Sequence, residues 1–426
     1  MSENILIGTG LSSLGFMENI NKDKDFIIYD KNTYFGGHAY SFKIDNFYFD
    51  EGAHISHSKN KEFLEYIDAF NSEKFRQLKC KVYNFYKNKK IGYPIQFNLK
   101  DLTFSEKIKY LISSIIVRKK LKNCKNYYEW LVASYGKFLT EKYYKMYTKK
   151  YWRTNYQEMS TDWIKGRLVE KNIFKTLKSL YFTTNDESLV YNEFRYPIQG
   201  GFFNFFEQKF KKFQFNLGYD VNKIDIKNKL VQFKNGKTLN YKILVSSIPL
   251  SEYKNLLVKV PRWIVNYLED LKYTKLLTYN YKVKKKVSHD FHWCYFYDEE
   301  FPISRMSILN NFNKKKNDKY YFVQAEVFFR NDEKIDFKDY DLRTKKQIIK
   351  FFKLQGDEDL VFEKKVLIEK AYPVPIIGDQ IKINKVINWL KENDIYPIGL
   401  YGNWKFMWSD QTFLNGKNTA FEINKL

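Results

Sequence analysis

The chain opens with a short, mostly apolar run from Asn4 to Ile7 that stops at Gly8. A run of this length closed by glycine predicts a buried strand entering a turn, with a helix following from about Ser12 to Ile20. Phe26 to Tyr29 is a second apolar run and ends on Asp30. Strand, helix and strand in this order predict a βαβ start and a parallel sheet covered by helices. From Phe104 to about Lys178 apolar residues recur at spacings of three and four, as in EKIKYLISSIIVRKKL and NYYEWLVASYGKFLTEKYYKMY, which predicts a helical lobe. After Tyr196 alternation returns. NKIDIKNKLVQF has the pattern of a hairpin, and YKILVSSIP that of a buried strand ending at Pro249. Between about Lys272 and Val374, LLTYNYKVKKK, KYYFVQAEVFF and KVLIEKAYPVP predict a largely antiparallel sheet. No internal repeat or Gly/Ser-rich linker marks a clean boundary, so the lobes are expected to interleave.

Composition narrows the class. With 426 residues, 44% apolar and 19% aromatic, the chain can bury a large interior shared by two or three lobes. No stretch of about 18 apolar residues suggests a membrane span. The start MSENILIGTG lacks the basic region and cleavage site of a secretory signal. Cys80, Cys124 and Cys294 are odd in number and far apart, which argues against a disulfide framework and for a reducing, cytoplasmic setting. The net charge of +24 first suggests nucleic acid or an anionic membrane. The lysines are scattered, however, with short runs only at 284–286 and 314–316, so no nucleic-acid partner is expected. An anionic small substrate stays compatible with the charge.

The candidate chemistry begins at Gly8-Thr-Gly10-Leu11-Ser12-Ser13. In a Rossmann unit the first glycine allows the tight turn, the second lets backbone approach a pyrophosphate, and the third lets helix and strand pack closely. Here the third position is Ser13. Asp30, 20 residues beyond Gly10, stands where a carboxylate would accept hydrogen bonds from a ribose diol and repel a 2′-phosphate. A second glycine cluster, Phe35-Gly36-Gly37-His38-Ala39-Tyr40-Ser41, follows the second strand directly. Two such stretches suit a long dinucleotide lying across the sheet, and with FDEGAHISHSKN after them they point to FAD. His54 and His57 in that segment could bind a metal, move a proton or simply pack. A metal is not expected, because no third ligand lies nearby in sequence.

These residues resemble a known family. IGTGLSSL, YDKNTYFGGHAYS and DEGAHISHSKNKEFLEYI are similar to the N-terminal part of flavin-dependent UDP-galactopyranose mutases and of the related protoporphyrinogen-oxidase and amine-oxidase-like flavoproteins. VYNFYKNKKIGYPIQFNL, YTKKYWRTNYQEMSTDWIKGRL, FRYPIQGGFFNFFEQ, KAYPVP and GLYGNWKFMWSDQTFLNG resemble further segments in the same order. The resemblance implies an α/β protein with a Rossmann-like FAD-binding domain in discontinuous pieces (1–100, 191–250 and 395–426), a helical substrate lobe (101–190) and an antiparallel sheet domain (251–394). It implies a mutase that interconverts pyranose and furanose forms of a nucleotide-activated sugar, UDP-linked by preference, for surface polysaccharide synthesis. Reduced flavin N5 would be the nucleophile, with NAD(P)H or another reductant supplying electrons and a homodimer as the assembly. In a chain without a convincing nucleophile elbow or Cys/His pair, that division of labour is chemically coherent.

The same resemblance assigns residues. Gly8, Gly10, Leu11 and Ser12 would hold the pyrophosphate, Asp30 and Lys31 the ribose end, and Gly36, Gly37, His38 and Ala39 the flavin side. Val221 would serve the adenine, with Gly402, Asp410 and Gln411 at the flavin's far edge. His54 would lie against the isoalloxazine, while Trp152 and Arg167 would line the nucleotide-sugar site. His57 is expected to lead into the next helix chiefly as a packing residue. Leu400, the neighbourhood of Thr274 and Phe406 depart from the mutase pattern of two arginines and a tyrosine. Lys275, Lys405, Arg195 and Arg153 are the basic side chains expected to compensate, although lysine lacks the bidentate fork of arginine. Two rival readings share the FAD fold: an oxidoreductase of the amine oxidase or protoporphyrinogen oxidase type, and an FAD-stabilised scaffold on a polyanion.

Overall fold

The computed structural model describes residues 2–69, 75–115, 121–168, 173–184, 192–313 and 319–426. Two seven-stranded sheets organise it. In the first, strands Glu3–Ile7 and Phe26–Asp30 pair in parallel, and the segment Thr238–Ser246 pairs in parallel with the other side of Glu3–Ile7. Val221–Asp225, Leu230–Phe233 and Thr238–Ser246 form an antiparallel meander at one edge, and Ile395–Pro397 adds in parallel to Thr238–Ser246. The chain therefore leaves this sheet twice and returns. The first helix runs over Leu11–Met17, shorter than its sequence pattern suggests, and is buried along its whole length.

The second sheet has the strand order Leu360–Pro373, Tyr273–Lys284, Tyr320–Arg330, Arg305–Ile308, Trp293–Phe296, Val82–Tyr86 and Lys89–Gly92. Two assignments of segment to lobe change here. Residues 82–92, counted with the first flavin segment, pair into this second sheet through Val82–Tyr86 beside Trp293–Phe296. Conversely, helix Asp379–Glu392 buries Ile383, Val386 and Leu390 with Ile5, Ile7 and Leu244 of the first sheet. Helix Phe337–Phe352 interrupts the antiparallel run without having been anticipated; its Ile348 and Phe352 cover the second sheet.

The helical lobe comprises Phe104–Ile115, Tyr127–Leu139, Lys145–Tyr151 and Ile173–Ser179, and a π-helical turn at Thr140–Tyr144 links the second to the third. Gly136, at φ +79°, breaks the helix just before that turn, and Thr140 Oγ1 donates to its carbonyl at 2.9 Å. Such turns re-aim a helix face. Here Tyr144, Tyr147 and Tyr151, spaced three and four apart, all face one cavity.

The C-terminal helix, Ser409–Asn424, crosses the first helix at two glycines. A Cβ on Gly15 would stand 2.0 Å from Phe413 O, and one on Gly416 would stand 1.8 Å from Ser12 O. The close approach that sequence reasoning sought at Ser13 is thus made two residues later, and against a helix instead of a strand. Gly416→Ala is expected to lower stability by about 1–3 kcal/mol, because the blocking atom is backbone and overpacking outweighs the roughly 1 kcal/mol that alanine gains within a helix. The thermal midpoint of the purified protein checks this; a rise would contradict the crossing.

Candidate active site

A single cavity of about 940 Å³ runs from the first glycine turn to the helical lobe. That is near the top of the roughly 300–1,000 Å³ usual for small-molecule sites. Gly8, Thr9, Gly10, Leu11 and Ser12 wall one end, together with Asp30, Lys31, Gly37, His38, Ala39 and Val221. His54, Trp152, Arg167 and several tyrosines wall the other. A Cβ on Gly10 would meet nothing within 4 Å, so its backbone faces open space. Gly37, at φ +54°, comes so near that a Cβ there would be 3.0 Å from Gly10 Cα. The two glycine stretches read from the sequence therefore meet at one point of the cavity wall.

Asp30 does more than face a ligand. Its Oδ2 accepts from Thr9 N at 2.8 Å and Thr9 Oγ1 at 2.7 Å, and its Oδ1 accepts from Asn32 N at 2.8 Å. The carboxylate fixes the turn that carries Gly8 and Gly10. Four expected cofactor residues lie outside the lining. Gly36 donates its N–H to Thr9 O and packs on Phe203, while Gly402 sits against Ser246 and Pro397. Asp410 is buried and accepts from Ser58 Oγ at 2.5 Å, locking the C-terminal helix to the histidine loop. Gln411 Oε1 accepts from Arg167 Nη2 and from Trp408 N, at 3.0 and 3.1 Å. These last two position the wall from behind.

The histidines separate in role. His38 Nδ1 lies 2.8 Å from Glu51 Oε2 at the cavity rim. His54 stacks on Phe202 with ring centroids 5.3 Å apart and faces the cavity. His57 meets Trp408 edge-on and precedes the next helix, Lys61–Asp68, whose N-cap is Asn60. Among the described residues no group of three or more His, Cys, Asp or Glu is gathered as for a metal ion.

Burial, with Arg305 nearby, pushes His54 down to about 4. Burial takes His57, His289 and His292 to about 4 as well. Lys81 N donates to His292 Nδ1 at 3.0 Å, which requires that nitrogen to be unprotonated. Asp50 moves the other way, to about 6, because it is buried; Ser41 Oγ, Tyr196 OH and Phe202 N donate to it and partly offset the rise.

Arg167 lies between the rings of Phe406 and Trp408, 4.6 Å from each centroid, and donates to Trp163 O and Phe406 O. Trp152 is buried against Trp163, Phe406 and Tyr151, and its Nε1 finds no partner among the described residues. The four basic residues expected to compensate for missing arginines do not line the cavity. Arg153 is held bidentately by Glu333 and Arg195 by Asp68, Lys275 Nζ lies 4.0 Å from Glu369 Oε2, and Lys405 points to solvent.

A cation that lines it beside Arg167, Lys31, Lys234 and Lys370 is Arg305, which the sequence reading missed. Its Nε and Nη2 donate to Glu326 at 2.8 and 2.7 Å across paired strands, and Glu326 is 1% exposed. Glu326 Oε1 also accepts from Ala53 N at 3.0 Å, beside His54. A lone arginine in ISRMSI and a lone glutamate in FVQAEVFF, each within an apolar strand, are the signal that was available.

The matching family profile, described as flavin containing amine oxidoreductase, covers residues 20–306. The chain belongs to that family. Its cofactor is FAD, and the paired glycine turns and the long cavity behind them fit that group. Among solved structures, a reduced UDP-galactopyranose mutase aligns at TM-score 0.89 and 21% identity, covering 99% of this chain and 94% of the other. A protein assigned as a protoporphyrinogen oxidase from Exiguobacterium sp. 255-15 aligns at 0.77 and 14% identity, over 100% and 99%. A CLA-producing fatty acid isomerase from P. acnes aligns at 0.66 and 10%, over 99% and 98%. All three share the fold. Among the described residues no helix is long and apolar enough to cross a membrane.

Two outcomes follow from the buried charges. Removing Arg305 strands Glu326, so Arg305→Met should cost about 3–5 kcal/mol, and Arg305→Met/Glu326→Met should regain most of it. Chemical denaturation of both variants checks this; equal stabilities would contradict a coupled pair. The four histidines take up protons in the unfolded chain near pH 6.5 but in the folded chain only near 4. Their contribution is complete above pH 6.5 and is lost as pH falls towards 4, at up to about 1.4 kcal/mol per pH unit for each proton. Asp50 opposes this over pH 6 to 4, one group against four. The thermal midpoint should therefore fall between pH 7 and 5, and a flat or rising profile would contradict the burial described.

Proposed function

We propose that this flavoprotein interconverts ring forms of a nucleotide-activated sugar, UDP-linked by preference. The observation that carries the reading is the wall beyond the flavin end, where two arginines, Arg167 and Arg305, stand among tyrosines and tryptophans. A diphosphate is recognised by charge-assisted bonds from such guanidiniums, and a base ring by stacking on aromatic faces.

In this reading reduced FAD supplies the nucleophilic nitrogen, and the protein's own groups bind and orient. Arg167, already rigid between two rings, would hold the diphosphate as it leaves and returns. Arg305 would present the side of its guanidinium not taken by Glu326. The Trp152 indole N–H supplies a donor in need of an acceptor, and Tyr147 and Tyr151, stacked at 5.2 Å, offer a face to the nucleobase. His54, neutral at physiological pH, would orient the cofactor without adding charge.

The oxidoreductase reading draws support from the family and from the aromatic lining. An amine substrate is disfavoured by the guanidinium of Arg167 in the same wall. The test is to reduce the holoprotein with dithionite without oxygen and incubate it with UDP-, GDP- and dTDP-sugars, following ring form by chromatography and proton NMR. A furanose product that stops forming when the flavin is reoxidised is expected, and Arg167→Ala should weaken UDP binding about 10- to 100-fold. Oxygen-dependent turnover of an amine or alcohol, with every sugar unchanged, would replace this reading by the oxidoreductase.

A further inference from the structure

Away from the flavin cavity, exposed apolar side chains concentrate on one part of the molecule. Of the 15 large apolar residues exposed among the described residues, seven lie within 104–112 and 174–182, so they form a local feature instead of scatter. On helix Phe104–Ile115 the exposed residues are Phe104 (79%), Ile108 and Ile112, spaced four apart as one stripe. On helix Ile173–Ser179 and the turn after it they include Phe174 (80%), Leu177 and Tyr181. The two helices adjoin: Lys107 Nζ donates to Leu180 O at 2.9 Å.

The charge around these stripes is one-sided. Among the described residues, 104–115 hold Lys107 and Lys109 and 173–184 hold Lys175 and Lys178, against the single acid Glu106, which Lys142 already engages. A second copy of the chain docking here by a two-fold would set these cations against their own image. An anionic partner is favoured. Phenyl and aliphatic groups flanked by lysines match what an anionic bilayer surface takes up, with rings entering the headgroup boundary and ammonium groups staying among the phosphates.

We propose that the adjoining apolar stripes of the helical lobe, with their lysine flank, seat the protein on an anionic membrane surface. Neither helix spans the bilayer; both lie in its interface. The seating is independent of which reaction the flavin cavity performs.

Flotation of the FAD-loaded protein with vesicles tests it. Binding is expected to vesicles containing phosphatidylglycerol and not to phosphatidylcholine alone, and to weaken in molar salt. Phe104→Ser/Phe174→Ser/Tyr181→Ser should bind roughly tenfold more weakly while keeping its flavin and thermal midpoint. No binding to the anionic vesicles, or undiminished binding by the triple variant, would overturn the proposal. So would a vesicle-free dimer that the triple variant dissolves, which would assign the face to self-association. Binding to polyglutamate that the triple variant equally loses would assign it to an acidic protein segment.

Discussion

The Glu326 carboxylate is the point on which the candidate site depends. Buried in the second sheet, it accepts two bonds from Arg305 on the neighbouring strand and a third from Ala53 N in the histidine loop of the first flavin segment. One carboxylate therefore sets the cavity arginine and the histidine loop relative to each other. Next to it, Gln324 Nε2 donates to Asp50 O at 2.8 Å, a second tie between the same strand and the same loop. A buried ionic pair seldom adds net stability, but breaking one is costly, and that asymmetry fixes geometry.

From that anchor the rest of the site is assembled by contacts distant in sequence. Asp50 joins the hairpin Ser41–Asp50 to the returning segment at Tyr196 and Phe202. Asp410 joins the C-terminal helix to Ser58, and Gln411 steadies Arg167. The crossing at Gly15 and Gly416 holds that helix against the first one, so both ends of the chain close around the glycine turn. The cavity is thus bounded by all three lobes at once, which suits a reaction needing a cofactor and a second ligand in contact.

Local signals were strong where one element carries its own pattern. The βαβ start, the glycine pairs, the helical lobe and the meander at 221–246 were legible because strand and helix periods and glycine punctuation are local. The site was legible only in part. Gly8, Gly10, Asp30, His54, Trp152 and Arg167 do line one cavity. Arg305 was overlooked because, beyond its place in an apolar strand, its meaning lies in a cross-strand partner 21 residues away and in a loop at residue 53. Arg153 and Arg195 misled for the matching reason: a basic residue in a promising segment can be satisfied elsewhere, by Glu333 and Asp68. The assignment of residues 82–92 failed similarly, since which sheet a hairpin joins depends on its neighbours.

In the proposed reading one cavity holds both FAD and a nucleoside diphosphate in contact. Titration of the oxidised holoprotein with UDP, followed by the visible absorption of the bound flavin, tests it most directly. The expected result is a saturable spectral shift that Arg167→Ala displaces to higher UDP concentration and that amines do not elicit. A flavin spectrum unmoved by UDP, GDP or dTDP but shifted by an amine or an apolar carboxylate would contradict it.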